Sequence, residues 1–268
     1  MKRLFVDASD ILGDEIHIYD KGQINHLLHV LRMKIGDALL VFDGAGMEYS
    51  TEIIEIAETK KPEVVLGVKS ARPFERFPKT AVTLFQGIPK GQKFDEIVRK
   101  STELGVYRIV PLETARVVAE IRQESFEKKR VRLNRIAEEA AKQSRRGDVP
   151  EVAPPVTVAG ACERIAAGTA ANERSLRENA AFDAAILLYE LEDGLTLKQA
   201  LRRLKPEAKW DTGLNIALLI GPEGGFEEAE ASLLTGAGAI SVTVGDTILR
   251  TETAGPAALA MLLYELEL

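Results

Sequence analysis

The sequence predicts an α/β protein in which a small, mostly β module precedes a larger domain built on a largely parallel sheet. Two patterns carry that expectation. From residue 80 onward, short apolar runs alternate with segments of helical period, the sequence form of strand–helix units on a parallel sheet. Before residue 72, turn signals separate short strand-like runs around a single helical stretch. A third observation bears on function: three predicted strands in the last third run directly into loops of unusual composition.

In the first module, NHLLHVLRM reads as a short helix with Leu27, Leu28 and Leu31 on one face. LLVFDGAGMEYSTEIIEI gives a strand over 39–42, a turn at Asp43-Gly44-Ala45-Gly46, and a second strand alternating through Tyr49, Thr51 and Ile53 to Ile54: a hairpin. KPEVVLGVKSA is a further strand. ARPFERFPK carries two prolines, two arginines and no apolar periodicity, which predicts an extended connection. The expected division is therefore a first domain over 1–72, a linker over 73–79 and a second domain over 80–268.

The second domain opens with a strand at TAVTLFQGI (80–88). QKFDEIVRKSTELG follows as a helix with Phe94, Ile97, Val98, Ser101 and Leu104 inward and Gly105 closing it. YRIVPLE (107–113) is a strand, residues 125–144 a long helix and 159–180 an Ala-rich helical region. AAILLYE (184–190) is a buried strand, LTLKQALRRL a helix and NIALLIG a strand. FEEAEASLLTGAG is a helix, ISVTVG a strand and TAGPAALAMLLYELE a closing helix.

Composition narrows the chemistry. With 46% hydrophobic and 28% charged residues in 268, the chain has ordinary globular composition. No apolar run approaches the ~18 residues of a membrane span, and MKRLFVDASD lacks the apolar core of a secretion signal. A cytoplasmic protein without a membrane partner is expected. Cys162 is the single cysteine, which excludes an intrachain disulfide. The histidines are His17, His26 and His29, so the remaining chain offers no imidazole for a metal site or a histidine-based triad, and no metal is expected. The net charge of −6 argues against nonspecific coating of nucleic acid. Between Arg116 and Asp148, however, ten basic residues stand against six acidic ones, a local excess of positive charge.

The strand NIALLI runs into Gly221, Pro222, Glu223, Gly224 and Gly225 before a helix begins. Alone, GPEGG fits a connecting turn as well as a binding loop. It matches neither the dinucleotide fingerprint nor the phosphate loop, and Glu223 would repel phosphates, so an uncharged or cationic ligand fits better. Ligands of open α/β sheets sit outside the carboxyl ends of the strands. LLYELEDG, IGPEGGF and VGDTILRTETAG, each at such an end, are therefore expected to converge.

VGDTILRTETAGPAALAMLLY (244–264) resembles the third cofactor-binding motif of the SPOUT class of RNA methyltransferases, and LIGPEGGF resembles the second. IPKGQKFDEIVRKSTELGV (88–106), EEAAKQSRRGDVPEV (138–152) and HLLHVLRMKIGDALLVFDGAG (26–46) extend the match to nearly the full length. The chain thereby resembles the RsmE family, which methylates N3 of a uridine in 16S ribosomal RNA.

That resemblance implies an N-terminal PUA-like β-barrel for RNA and a C-terminal SPOUT domain with a deep trefoil knot. It further implies S-adenosylmethionine as methyl donor and a homodimer acting on 16S ribosomal RNA or the small ribosomal subunit. On this reading Leu188, Tyr189, Glu190, Ile220, Gly221, Glu223, Gly224, Gly225, Val244, Gly245, Ile248, Leu249, Arg250, Thr253 and Ala254 contact the donor. Removing the N3 proton requires a base or a cation that stabilises the deprotonated ring; Arg250 is the candidate for the cation and Glu252 a candidate proton acceptor, with Glu223 open as the carboxylate that attracts the sulfonium and no sequence argument separating the two acids. A plain salt bridge from Arg250 to Glu223 or Glu252 is the structural alternative. Arg3, Arg32, Lys90, Arg116, Gln143, Arg145 and Arg146 are the expected RNA contacts. The family commonly has a basic residue where this chain has Thr247, so no role for that side chain carries over. Two other readings stay open here: a related methyltransferase acting on tRNA or a ribose 2′-hydroxyl, and an inactive RNA-binding module.

Overall fold

The computed structural model describes residues 2–44, 46–57, 59, 61–74, 78–116, 123–170, 182–204 and 213–267. The chain forms two compact units, one of residues 1–76 with 141–149 and one of 77–140 with 150–268.

The first unit contains β1 (Lys2–Phe5), β2 (Ile11–Leu12), β3 (Glu15–Ile18), α1 (Lys21–Asn25), β4 (Ala38–Phe42), β5 (Met47–Ala57) and β6 (Glu63–Pro73). They form a six-stranded sheet in the order β1-β4-β5-β6-β3-β2, antiparallel except for the parallel pair β1 and β4. Alternation decides what is buried: Leu39 and Val41, Val64 and Leu66, and Ile16 and Ile18 point to one core that Ile24 and Leu27 cap. The helix predicted around Leu27 starts earlier, because the Asp20 side chain accepts from the Gln23 N–H at 2.8 Å and caps it. It then widens into a π-helical turn over His26–Val30 and stops before Arg32, whose φ is 52°. Strand β6 runs to Pro73, so ladder pairing takes in the first residue of the stretch read as a linker.

Residues 141–149 belong with this unit, unlike in the sequence-based division. Three local contacts explain the difference. Gly44 bridges Asp148, the Phe74 ring lies so close to Gly147 that an added Cβ would come within 2.4 Å, and the Arg3 Nη1 donates to the Arg145 carbonyl at 2.8 Å.

The second unit runs β7 (Ala81–Gly87), α2 (Lys93–Glu103), β8 (Arg108–Glu113), α3 (Gln123–Gln143), β9 (Glu151–Val152), β10 (Val156–Thr157), α4 (Val158–Ala170), β11 (Ala184–Leu188), α5 (Leu197–Leu204), β12 (Asn215–Ile220), α6 (Glu228–Gly236), β13 (Ala239–Val242) and α7 (Thr251–Glu267). The end of α3 reaches into the first unit. Residues 171–180 of the predicted Ala-rich helix lie outside the described residues. The sheet order is β10-β8-β7-β12-β11-β13 with β9 beside β8, and the pairings are parallel. Both faces are covered, as a parallel sheet requires. Phe85, Leu187, Ala217 and Leu219 share a core with Ala161 and Ile165 of α4 and Leu234 of α6. Residues one position away, among them Leu84, Ile186 and Leu218, point to the opposite face, where α2 packs on α7 and Leu84 lies near Gly255.

Helix α2 ends in a Schellman arrangement: Val106 N–H reaches Ser101 O at 3.0 Å and Gly105 N–H reaches Thr102 O at 3.1 Å, with Gly105 at φ 100°. The expected inward Leu104 is corrected by this geometry. As the cap residue it leaves the helical face and is 39% exposed, while Thr102 is buried in its stead.

Candidate active site

Register places the predicted loops together. Leu188 of β11 is level with Ile220 of β12 and Val242 of β13, and Ile220 is level with Gln86 of β7. The chain therefore leaves four strands at one edge of the sheet, and the segments after β11, β12 and β13 surround a cleft of about 660 Å³. Its walls include Leu188, Tyr189, Glu190, Ile220, Gly221, Glu223, Gly225, Val244, Gly245, Ile248, Leu249, Arg250, Glu252 and Ala254.

Two residues expected at the cleft do not line it. Gly224 sits behind it, its carbonyl taking a hydrogen bond from Arg116 Nη1 and its Cα packed on the Arg116 chain. Thr253 is exposed because the first turn of α7 rotates it away from Ala254 and Glu252. The cleft also contains groups that the sequence pattern did not single out as donor contacts, among them Lys93, Glu192, Asp193, Phe226, Thr243, Asp246 and Thr251.

The glycines turn out to serve the protein's own packing. A Cβ on Gly87 would lie 2.4 Å from the Pro222 nitrogen, one on Gly221 3.1 Å from the Gly225 carbonyl carbon, and one on Gly225 2.5 Å from Glu190 Oε1. Gly225 also has φ 68° and closes a turn by donating to Pro222 O at 3.0 Å, a conformation that favours glycine. Bareness of the loop is thus set first by its close approach to β7, to itself and to Glu190. A buried polar knot fixes it further: Thr251 Oγ1 donates to Gly221 O at 2.6 Å and accepts from Gln86 Nε2 at 2.9 Å. Gln86 and Thr251 are both buried, so the start of α7 is tied to the glycine loop through the end of β7.

Charge in the cleft is one-sided. Glu190, Glu192, Asp193, Glu223, Asp246 and Glu252 face Lys93 and Arg250, six carboxylates against two cations. Lys93, the first residue of α2, contacts Glu223 Oε1 at 3.1 Å and Glu252 Oε2 at 3.5 Å. Glu223 Oε1 also accepts the Lys90 N–H at 3.1 Å. Burial pushes the Glu223 carboxyl up, but its own backbone N–H, the Lys93 ammonium and the Lys90 N–H outweigh that and leave it below the usual carboxylate value. The hydrogen bond to Glu223 raises Lys93. Glu252 Oε2 differs: it is buried and, among the described residues, has no hydrogen-bond partner, its approach to the Lys93 ammonium at 3.5 Å being an ion-pair contact.

Arg250 is exposed and makes no ion pair among the described residues, so the structural alternative of a brace to Glu223 or Glu252 is not what the structure shows. Lys93 occupies that place.

The expected RNA contacts separate into two groups. Arg3, Arg32, Lys90, Gln143 and Arg145 are exposed. Arg146 is buried, with Nε and Nη2 on the two oxygens of Asp148 at 3.1 and 2.9 Å, and Arg116 is committed to Gly224. Arg146, an expected phosphate contact, is 9% exposed and engaged in this internal ion pair. Among the described residues no group of three or more His, Cys, Asp or Glu is arranged to hold a metal.

Comparison with known proteins agrees with this geometry. The family described as RNA methyltransferase domain matches residues 75–263, and that described as RNA methyltransferase PUA domain matches residues 18–66. The parallel sheet with its glycine-loop cleft thus falls in the class of RNA methyltransferases. Ribosomal RNA small subunit methyltransferase E of Bacillus subtilis is 30% identical over 281 residues, covering 100% of this chain and 98% of its own. A putative methyltransferase from Legionella pneumophila, solved with bound SAM, superposes with a TM-score of 0.71 at 27% identity, covering 98% of this chain and 96% of its own. The ribosomal RNA small subunit methyltransferase E of Neisseria gonorrhoeae bound to S-adenosyl methionine gives 0.71 at 26%, covering 98% and 97%. The chain belongs to the family of ribosomal RNA small subunit methyltransferase E.

Proposed function

We propose that this chain is an S-adenosylmethionine-dependent methyltransferase that methylates N3 of a specific uridine in 16S ribosomal RNA, in the cytoplasm and as a homodimer. On this reading residues 1–72 form the RNA-binding PUA-like domain, and 80–268 the catalytic SPOUT domain with its trefoil knot. The observation that carries it is the acid-rich cleft at adjacent strand ends, lined by both motif loops and holding one guanidinium, Arg250, that makes no ion pair among the described residues. Its size suits a nucleoside-based ligand, and six carboxylates against two cations favour a positively charged one.

When bound, S-adenosylmethionine supplies an electrophilic methyl carbon on a cationic sulfur. Leu188, Ile220, Ile248 and Leu249 give the apolar surface of its site, and Glu190 the carboxylate able to accept from ribose hydroxyls. The unpaired Arg250 meets the charge that spreads over O2 and O4 when a uridine loses its N3 proton, through paired N–H donors. Between the two glutamates, hydrogen-bond engagement distinguishes the proton acceptor. Glu223 is engaged by the Lys93 ammonium and the Lys90 N–H, which hold its carboxyl below the usual value, whereas Glu252 keeps a buried oxygen without a hydrogen-bond partner among the described residues and so has an acceptor site to offer the N3 proton. Lys93 restrains both carboxylates and so leaves Arg250 free for the substrate.

Purified protein incubated with the donor and unmodified small subunits should yield N3-methyluridine in 16S RNA on mass mapping. Methylation of a ribose hydroxyl or of tRNA, or no donor binding in calorimetric titration, would overturn the reading.

A further inference from the structure

The first unit holds a second concave site, a cleft of about 360 Å³ bounded by Arg3, Leu4, Phe5, Asp20, Gly22, Gln23, His26, Lys142 and Arg145. All nine residues belong to that unit. The buried Leu4 and Phe5 form its floor. Arg3, Lys142 and Arg145 bring three positive charges from the first strand and from the end of α3, while Asp20, Gln23 and His26 supply polar groups from α1 and its cap.

Arg145 is the informative member. It has φ 61°, in the left-handed region that arginine rarely adopts and that glycine or asparagine would enter with less strain. The surroundings hold it there. Its carbonyl accepts from Arg3 Nη1 at 2.8 Å, and the Arg3 guanidinium in turn lies 5.3 Å over the Phe42 ring. On its other side Arg146 is buried on Asp148, and Gly147 is pressed against Phe74. Two adjacent arginines are thus used oppositely: Arg146 is consumed by the fold, and Arg145 is turned outward with no ion pair among the described residues. Strain retained at a non-glycine residue beside an unpaired charge marks a position kept for its side chain.

We propose that this cleft is a subsite for one nucleotide of a single-stranded segment of the RNA substrate, its phosphate held by Arg145 with Arg3 and Lys142. The inference rests on the reading of the chain as an RNA methyltransferase. The volume admits one nucleotide, and a concave site fits a splayed single strand better than the convex phosphate ridge of a duplex. The Asp20 carboxylate, which also caps the Gln23 N–H, repels a second phosphate and accepts from a base edge. Gln23 has its Nε2 on the Phe5 carbonyl at 2.9 Å, which leaves its side-chain oxygen for the same purpose.

The test uses the full chain and a fluorescently labelled single-stranded RNA of about 12 nucleotides, with Arg145→Asn and Arg145→Gly, both suited to the left-handed backbone. Each variant should keep or raise its thermal midpoint, bind the methyl donor as the wild type does, and bind the RNA ~10-fold more weakly. The slope of log affinity against log salt should become shallower by about 0.7, the share of one phosphate on a single strand. Unchanged RNA affinity and salt slope in both variants would overturn the subsite, as would equal competition by a blunt duplex of the same length. Neither result touches donor binding in the wild type, whose loss would instead sink the proposed activity.

Discussion

Gly87→Ala should damage this protein far more than an ordinary glycine replacement in a strand. Gly87 ends β7, and the added Cβ would stand 2.4 Å from the Pro222 nitrogen, 2.6 Å from its Cδ and 2.7 Å from the Gly221 carbonyl carbon. Two of those neighbours are backbone atoms, which cannot swing aside as a side chain would. Ordinary contact begins near 3.4 Å, so the glycine loop must retreat by about 1 Å. Overpacking of this kind costs about 1–3 kcal/mol. At roughly 2–4 °C per kcal/mol for a domain of this size, the thermal midpoint should fall by about 2–12 °C. The displaced loop carries Gly221 and Glu223 into the cleft, so donor affinity should fall with it. Gly236→Ala is the control: no heavy atom lies within 4 Å of its added Cβ, its φ is not positive and it closes α6. That exchange should stabilise by about 0.5–1 kcal/mol and leave donor binding unchanged. Scanning calorimetry and donor titration on the two variants decide the matter. Equal midpoints, or a Gly87→Ala protein that binds donor normally, would refute the claim that close backbone approach shapes the cleft.

Arg250→Ala should leave donor affinity within a few-fold while methyl transfer falls by ~10² or more; equal losses in both would make Arg250 a structural brace. Lys93→Met removes the cation between Glu223 and Glu252 while keeping much of its bulk, so donor affinity should hold or rise and turnover should fall ~10-fold or more as Arg250 collapses onto the freed acids; Lys93→Arg should recover part of it, and full turnover in Lys93→Met would refute the role. Because Glu223 titrates below its unfolded value, near 4.5, its stabilising contribution is complete above that pH and is lost as pH falls through the lower folded value. Glu223→Gln should therefore flatten the fall of the thermal midpoint on acidification below about pH 4.5, and parallel profiles would contradict it.

Much of the fold is legible in the sequence because β7, β8, β11, β12 and β13 are apolar runs ended by a turn signal and the helices between them have their own period, whereas the two-residue β9 and β10 carry no such run. GPEGG alone reads equally as a turn; its motif resemblance together with that of LRTETAG marks both loops, and register brings them to neighbouring strand ends. Other features depend on contacts that periodicity does not encode. Lys93 opens a helix and is indistinguishable there from a solvated lysine; its role comes from Glu223 and Glu252, more than a hundred residues away. Residues 141–149 take in the last residues of α3 and the turn after it, yet Gly147 lies on Phe74 and Asp148 bridges Gly44. Arg146 carried one local signal, Asp148 two positions on, since an Arg-x-Asp pair at a turn can close on itself. Leu104 has the right helical phase to be inward, but the αL glycine after it ends the helix before that phase applies.

The glycine loop joins these observations. A loop kept bare only for its ligand would tolerate side chains in the empty protein and fail on binding, whereas here a Cβ on Gly87 would meet the loop backbone at 2.4 Å, one on Gly221 would be tight at 3.1 Å, and Gly225 holds a left-handed φ of 68°, all without any ligand. The loop is therefore rigid before the ligand arrives, held by Gln86 and Thr251 on one side and by the Glu223 contacts with Lys90 and Lys93 on the other. A preformed site avoids the ordering entropy that a flexible loop would lose on binding. The same bonds keep two of the six carboxylates of the cleft engaged with Lys93 while Arg250 stays unpaired. Rigid backbone and an uncommitted cation thus have one origin, and the Gly87 and Lys93 substitutions separate them: the first should move the loop with Arg250 still free, the second should trap Arg250 with the loop in place.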